Sequence, residues 1–114
     1  MTLSANSLAK VSASWIAVAR IDEITPGQGR CFAVGSRKIA LFRSRDGKLY
    51  ALDAECPHRN GPLAEGVIGC ETVICPLHGY KFSLVDGRGF DSNLSVTSYA
   101  AELRNHRIYV KLPL

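Results

Sequence analysis

Apolar and polar residues alternate with a period of two along most of the chain, and no window of a dozen residues carries a 3.6-residue period. This pattern predicts an all-β domain of short antiparallel strands. The first apolar stretch runs from Trp15 to Ala19. It is followed by IDEITPGQG, where Pro26, Gly27 and Gly29 predict a turn, and then by the apolar stretch Cys31 to Val34. In RKIALFRSRDGKLYAL, two apolar segments flank Asp46-Gly47, a pair that favours a type I′ hairpin. Near the C-terminus, Tyr99, Ala101 and Leu103 fall on one face of a strand. Ile108, Val110 and Leu112 fall on one face of the next, with Asn105-His106 as the turn between them. A Gly/Pro-rich centre, Asp53 to Asp91, separates the two hairpins, and loops on such a scaffold are where function is expected. Residues 1–14 are small and polar, so they are expected to be a flexible lead-in to a folded domain covering 15–114.

A chain of 114 residues with 46% hydrophobic content suits one core and is too short for two. The net charge is +4, but the basic residues are spread from Lys10 to Lys111 among acids, which argues against a nucleic-acid partner. The densest group, Arg43, Arg45 and Lys48, reads as a solvated hairpin tip. Trp15 to Ala19 is far shorter than the roughly 20 apolar residues that span a bilayer, so no membrane anchor is expected. MTLSANSLAK lacks a charged region followed by an apolar one, and the cytoplasm is the expected location. In that compartment, cysteines near histidines suggest metal ligands or catalytic thiols before disulfides. PGQGRC leads into a strand and fits a dinucleotide fingerprint poorly.

The chemistry concentrates in two phrases, ECPHRNGP from Glu55 and ICPLHGYK from Ile74. Together they spell Cys56-x-His58, sixteen intervening residues, and Cys75-x-x-His78. A proline follows each cysteine. Gly61 and Gly79 are expected to close the turns and to bring amide N–H groups near whatever the sulfurs bind. Three readings stand at this level. The residues could be structural without a metal. They could hold tetrahedral zinc, although zinc fingers usually pair Cys with Cys and His with His. Or they could hold a [2Fe–2S] cluster with two Cys on one iron and two His on the other. Cys31 and Cys70 have no histidine at ligand spacing and read as buried or half-buried thiols. His106 reads as a turn residue, and Trp15, Tyr50 and Tyr99 as core or scaffold aromatics.

The two spacings, the prolines and the HG step together resemble the Rieske family, over roughly residues 15–112. The resemblance implies a Rieske-like antiparallel β-sandwich with a cluster-binding subdomain of two loops, about 53–91. It also implies a [2Fe–2S] cluster with Cys56 and Cys75 on an inner iron and His58 and His78 on an outer, surface-facing one. With no open coordination position, the centre would carry electrons and catalyse nothing itself. Rieske proteins of membrane cytochrome complexes have an extra cysteine in each loop, forming a disulfide, where this chain has Gly61 and Leu77. They also have Ser and Tyr hydroxyl donors to the cluster sulfurs, where this chain has Tyr80 and Phe82. These departures imply a low potential, of order −150 mV.

Phrase by phrase, the sequence from Ile21 through the CPLHGYKF loop is most similar to the small subunit of assimilatory NAD(P)H-dependent nitrite reductase. That resemblance implies a large-subunit partner holding flavin and siroheme, where nitrite becomes ammonium. The alternative is a Rieske ferredoxin feeding the terminal component of an aromatic ring-hydroxylating dioxygenase. A non-redox, zinc-stabilised interaction module is a third reading. Arg59, Asn60, Leu77 and Tyr80 are candidate partner contacts.

Overall fold

A computed structural model describes residues 13–57, 60–77, 79–90 and 93–113. Ten strands are present among them: β1 (Ala13–Arg20), β2 (Gln28–Val34), β3 (Arg37–Arg43), β4 (Leu49–Asp53), β5 (Val67–Gly69), β6 (Thr72–Ile74), β7 (Lys81–Ser83), β8 (Ser98–Tyr99), β9 (Ala101–Arg104) and β10 (Arg107–Pro113). Two single-turn 3₁₀ segments, Ile21–Glu23 and Leu63–Glu65, interrupt them. The strands form three antiparallel sheets, in the orders β9-β10-β1, β2-β3-β4-β8 and β5-β6-β7. The architecture is the expected all-β one. The first strand opens at Ala13, two residues before the expected start, and residues 1–12 of the expected lead-in lie outside the described residues.

β3 organises the molecule. Its central run IALF is apolar at four successive positions, the pattern of a strand covered on both faces. Ile39 and Leu41 face one core, with Ile24, Ala51, Ile108, Val110 and Leu112. Ala40 and Phe42 face a second core, with Leu52, Leu63, Val73, Phe82 and both Cys56 and Cys75. One core joins the first two sheets into a sandwich, and the other seats the small third sheet. Phe42 and Phe82 are fully buried, each a contribution of about 1.5–3 kcal/mol by transfer from water.

One turn departs from expectation in type, though not in place. At Asp46-Gly47 the Gly47 N–H donates to the Ser44 carbonyl and the Ser44 N–H to the Lys48 carbonyl, with φ positive at Gly47 and not at Asp46. This is a three-residue loop ending in a left-handed glycine, where the sequence suggested a two-residue type I′ turn. The Ser44 hydroxyl, bonded to Asp46 and to the Lys48 N–H, favours the wider loop. Positive φ at both central residues, the mark of type I′, occurs instead at Asn105-His106 and at Cys70-Glu71.

Several side chains also sit elsewhere than expected. Arg43 does not belong to a solvated tip, because its guanidinium donates to the carbonyls of Ile21 (3.2 Å) and Ile24 (2.9 Å) and ties the first 3₁₀ turn to β3. Trp15 is a surface residue with the Arg104 guanidinium 5.2 Å from its ring centroid. Cys31 and Cys70 are exposed, on an edge strand and at a turn tip respectively. Leu103 is likewise exposed, on edge strand β9, while Ile108, Val110 and Leu112 are buried as expected.

Tyr99 fastens the point where the scaffold hands the chain to its Gly/Pro-rich centre. Its hydroxyl donates to Asp53 Oδ1 at 2.5 Å and accepts from Arg37 at 3.2 Å, and the Asp53 N–H donates to the Thr97 carbonyl. Burial, followed by the Asp53 carboxylate, raises the Tyr99 hydroxyl above the ordinary tyrosine value, with Arg37 opposing. A group raised on folding stabilises below its unfolded pKa and loses that contribution as pH climbs through the folded one. Tyr99→Phe should therefore cost about 1 kcal/mol near neutrality. In urea unfolding, its deficit against the wild type should hold from neutrality to about pH 10 and narrow above it.

Candidate metal centre

β4 runs into the first phrase and β6 into the second, and the two loops share one hydrogen-bond frame. The Cys56 N–H donates to the Gly61 carbonyl (2.8 Å), and the Asn60 N–H donates back to the Cys56 carbonyl (2.7 Å). In the second loop the Cys75 N–H donates to the Tyr80 carbonyl (2.7 Å), and the Gly79 N–H donates to the Cys75 carbonyl (3.2 Å). In both loops the fourth residue after the cysteine adopts left-handed φ, at +56° for Asn60 and +71° for Gly79. Gly79 closes its turn as expected. In the first loop Asn60 has that role, for which it is the best suited residue after glycine.

Gly61 has a different reason to be glycine. A Cβ there would lie 2.8 Å from Cys75 Sγ and 3.2–3.3 Å from Cδ1 and Cγ of Leu77. The first loop is therefore laid directly on the second, with the backbone of residue 61 against the sulfur. Gly61 and Leu77 face each other across the two loops.

Cys56 and Cys75 are each 1% exposed and share the core formed by Leu63, Val73, Phe82 and Leu84. Both are free thiols. The Cys75 thiol is raised above its ordinary value, chiefly by burial. The Leu77 N–H aimed at its sulfur works the other way, and the adjacent Cys56 thiol adds to the rise. Two protons held in a dry pocket must leave before the sulfurs can bind metal, so metal uptake is coupled to proton release. Two inward-facing thiols from separate loops, with a backbone N–H directed at one sulfur, fit a metal held by two thiolates at the inner end of the site.

His58 and His78, together with Arg59, lie outside the described residues. Of the remaining candidate contacts, Asn60 and Leu77 are exposed and Tyr80 is half-buried. The site residues that sequence reasoning missed are Asn60, as the turn former, and Gly61, as the space under the sulfur. The signal for the first was available, since Asn60 and Gly79 occupy the same position relative to their cysteines.

This paired-loop site on a β-sandwich defines a class. The sequence model of the Rieske-like [2Fe-2S] domain matches residues 14–111, and the chain belongs to that family. It is a Rieske-type electron-transfer module, and its likenesses extend to two functional groups. It superposes with a TM-score of 0.80 at 27% identity on a Mycobacterium tuberculosis protein assigned as an NADH-dependent nitrite reductase small subunit, covering 88% of this chain and 96% of that one. It superposes with a TM-score of 0.76 at 28% identity on the ferredoxin of carbazole 1,9a-dioxygenase from Nocardioides aromaticivorans, covering 85% and 96%. It is 28% identical over 101 residues to the ferredoxin component of a naphthalene 1,2-dioxygenase/salicylate 5-hydroxylase system of a Ralstonia species, covering 87% of this chain and 96% of that one. The chain also matches two cholesterol 7-desaturases of Ciona intestinalis, of which it spans only 18% and 16%.

Because the Cβ position of residue 61 is already filled by sulfur, Gly61→Ala should cost about 1–3 kcal/mol through forced separation of the loops. Asn60→Gly, which keeps the left-handed turn, should stay within about 1 kcal/mol of the wild type. Denaturant unfolding of the two variants checks both.

Proposed function

We propose that the chain is the Rieske ferredoxin of an oxygenase system, carrying single electrons to a terminal oxygenase component from the cytoplasm. The observation that carries this reading is the match to the Ralstonia ferredoxin component, which extends over 87% of this chain and 96% of its relative. The carrier domain would occupy residues 15–114, with 53–91 as its cluster-binding part. Cys56 and Cys75 would hold the inner iron, and His58 and His78 the outer one. The cluster, when bound, supplies a one-electron couple whose outer iron is the easier to reduce, because neutral imidazoles replace two thiolates. The chain's own residues bury the thiolates, keep water from them through Leu63, Phe82 and Leu84, and offer the Leu77 N–H to the Cys75 sulfur.

The potential should be low. Fully buried Phe82 sits in the core beside both cysteines and has no hydroxyl to donate to the more negative reduced cluster, and Gly61 opposite Leu77 forms no disulfide there. A midpoint of order −150 mV is expected in a redox titration. A midpoint several hundred millivolts above zero would refute it.

The second reading, the small subunit of NAD(P)H-dependent nitrite reductase beside a flavin and siroheme large subunit, is favoured by the likeness to the mycobacterial protein. Purified protein should contain iron and sulfide in equal amounts and, when reduced, give an EPR signal with average g below 2. Cys75→Ser and His78→Ala should each abolish the signal. A colourless protein holding zinc would overturn both readings in favour of an interaction module. Reduced protein should then restore turnover to a dioxygenase terminal component and not to a nitrite reductase large subunit. The opposite outcome selects the second reading.

A further inference from the structure

The register of the third sheet places Val67 opposite Ile74 and Ile74 opposite Lys81. Phe82 pairs with Gly89, and the Phe90 N–H donates to the Lys81 carbonyl, so the ladder continues from Lys81 to Phe90. Residues directly opposite one another in antiparallel strands share a face. The neighbouring row, Ile68, Val73, Phe82 and Gly89, is the inward one, with Val73 and Phe82 fully buried. Val67, Ile74, Lys81 and Phe90 therefore form one outward row about 14 Å long, at the usual strand spacing. Val67 is 70% and Phe90 61% exposed, the highest values among the large apolar side chains described.

Period-two alternation puts Arg88 on the same outer face as Phe90. Among the described residues neither Lys81 nor Arg88 forms an ion pair, whereas Arg20, Lys48 and Arg104 each have a carboxylate partner. The aliphatic stem of Lys81 can cover the gap between Ile74 and Phe90 while its ammonium stays in water. The row ends at the second cysteine loop, because Cys75 follows Ile74 and the Tyr80 carbonyl, next to Lys81, accepts the Cys75 N–H. An apolar strip with a cationic rim, joined to the second cysteine loop, marks an interaction surface.

We propose that this outer face of the β5-β6-β7 sheet is the docking surface for the terminal oxygenase, which presents to it an apolar patch rimmed by carboxylates. The inference rests on the electron-carrier reading above. Apolar contact at Phe90 and Val67 holds the complex, and Lys81 and Arg88 steer and orient its approach.

The test measures oxygenase reduction by the cluster-loaded chain as a function of chain concentration. Phe90→Asp, and separately the double variant Lys81→Glu/Arg88→Glu, should raise the concentration giving half-maximal rate at least tenfold. Their cluster spectrum and midpoint potential should stay at wild-type values. Added salt should weaken the wild type much more than the double variant. Leu103→Asp, on β9, should behave as the wild type. Half-saturation within twofold of the wild type for both outer-face variants, or an equal loss in Leu103→Asp, overturns the surface alone. Should Phe90→Asp fail to fold, the charge reversals at exposed Lys81 and Arg88 decide by the same ratio. A wild-type chain that reduces no terminal oxygenase overturns the electron-carrier reading as proposed, and the surface with it.

Discussion

Two thiols must be buried face to face between loops from different parts of the chain, and most of the structure serves that requirement. Each loop spends its cysteine's N–H and C=O on its own backbone, so the sulfur is left as the polar atom aimed inward. The left-handed residue four positions on makes this closure possible, and the bare Cα of Gly61 lets the first loop approach the second sulfur. Removing either feature would part the loops even with all ligands present. A cysteine pair at this depth would otherwise be inert, and the raised Cys75 thiol is the cost of dryness that a bound metal offsets by displacing the protons.

The scaffold's contribution is rigidity just outside the loops. β3 feeds one core with Ile39 and Leu41 and the other with Ala40 and Phe42, so the sandwich and the cysteine-bearing sheet cannot move independently of that strand. Arg43 and Tyr99 add polar ties at the strand's ends, one to the 3₁₀ turn before β2, the other to Asp53 three residues before Cys56. Polar bonds of this kind are individually worth about 1 kcal/mol, but here they fix where the first loop begins.

The strands and both cysteine phrases were legible in the sequence because period-two alternation and ligand spacing are local signals. The apolar segments flanking Asp46-Gly47 became strands, and the C-terminal row Ile108, Val110, Leu112 turned inward as its alternation required. What could not be read depended on partners distant in sequence. Cys31, in an apolar strand, read as a buried or half-buried thiol, yet edge strand β2 leaves it exposed. Trp15 read as a core or scaffold aromatic, and on β1 it lies at the surface against Arg104. The turn type at Asp46-Gly47 was missed because the Ser44 hydroxyl overrode the preference carried by Asp-Gly. The role of Gly61 depends wholly on where Cys75 arrives from a separate hairpin.

A site built this way separates the frame of the loops from the outward row of the small sheet. The frame that sets the sulfurs uses backbone bonds and two residues chosen for backbone freedom, and it makes no demand on the side chains of the outward row. Val67, Lys81, Arg88 and Phe90 can vary without touching the second core, since their strands are held through Val73 and Phe82 on the opposite face. The same scaffold superposes comparably on a nitrite reductase subunit and on a dioxygenase ferredoxin. On the proposed docking surface, partner choice would rest with the solvent-facing chemistry of the small sheet, where overall fold similarity carries the least information.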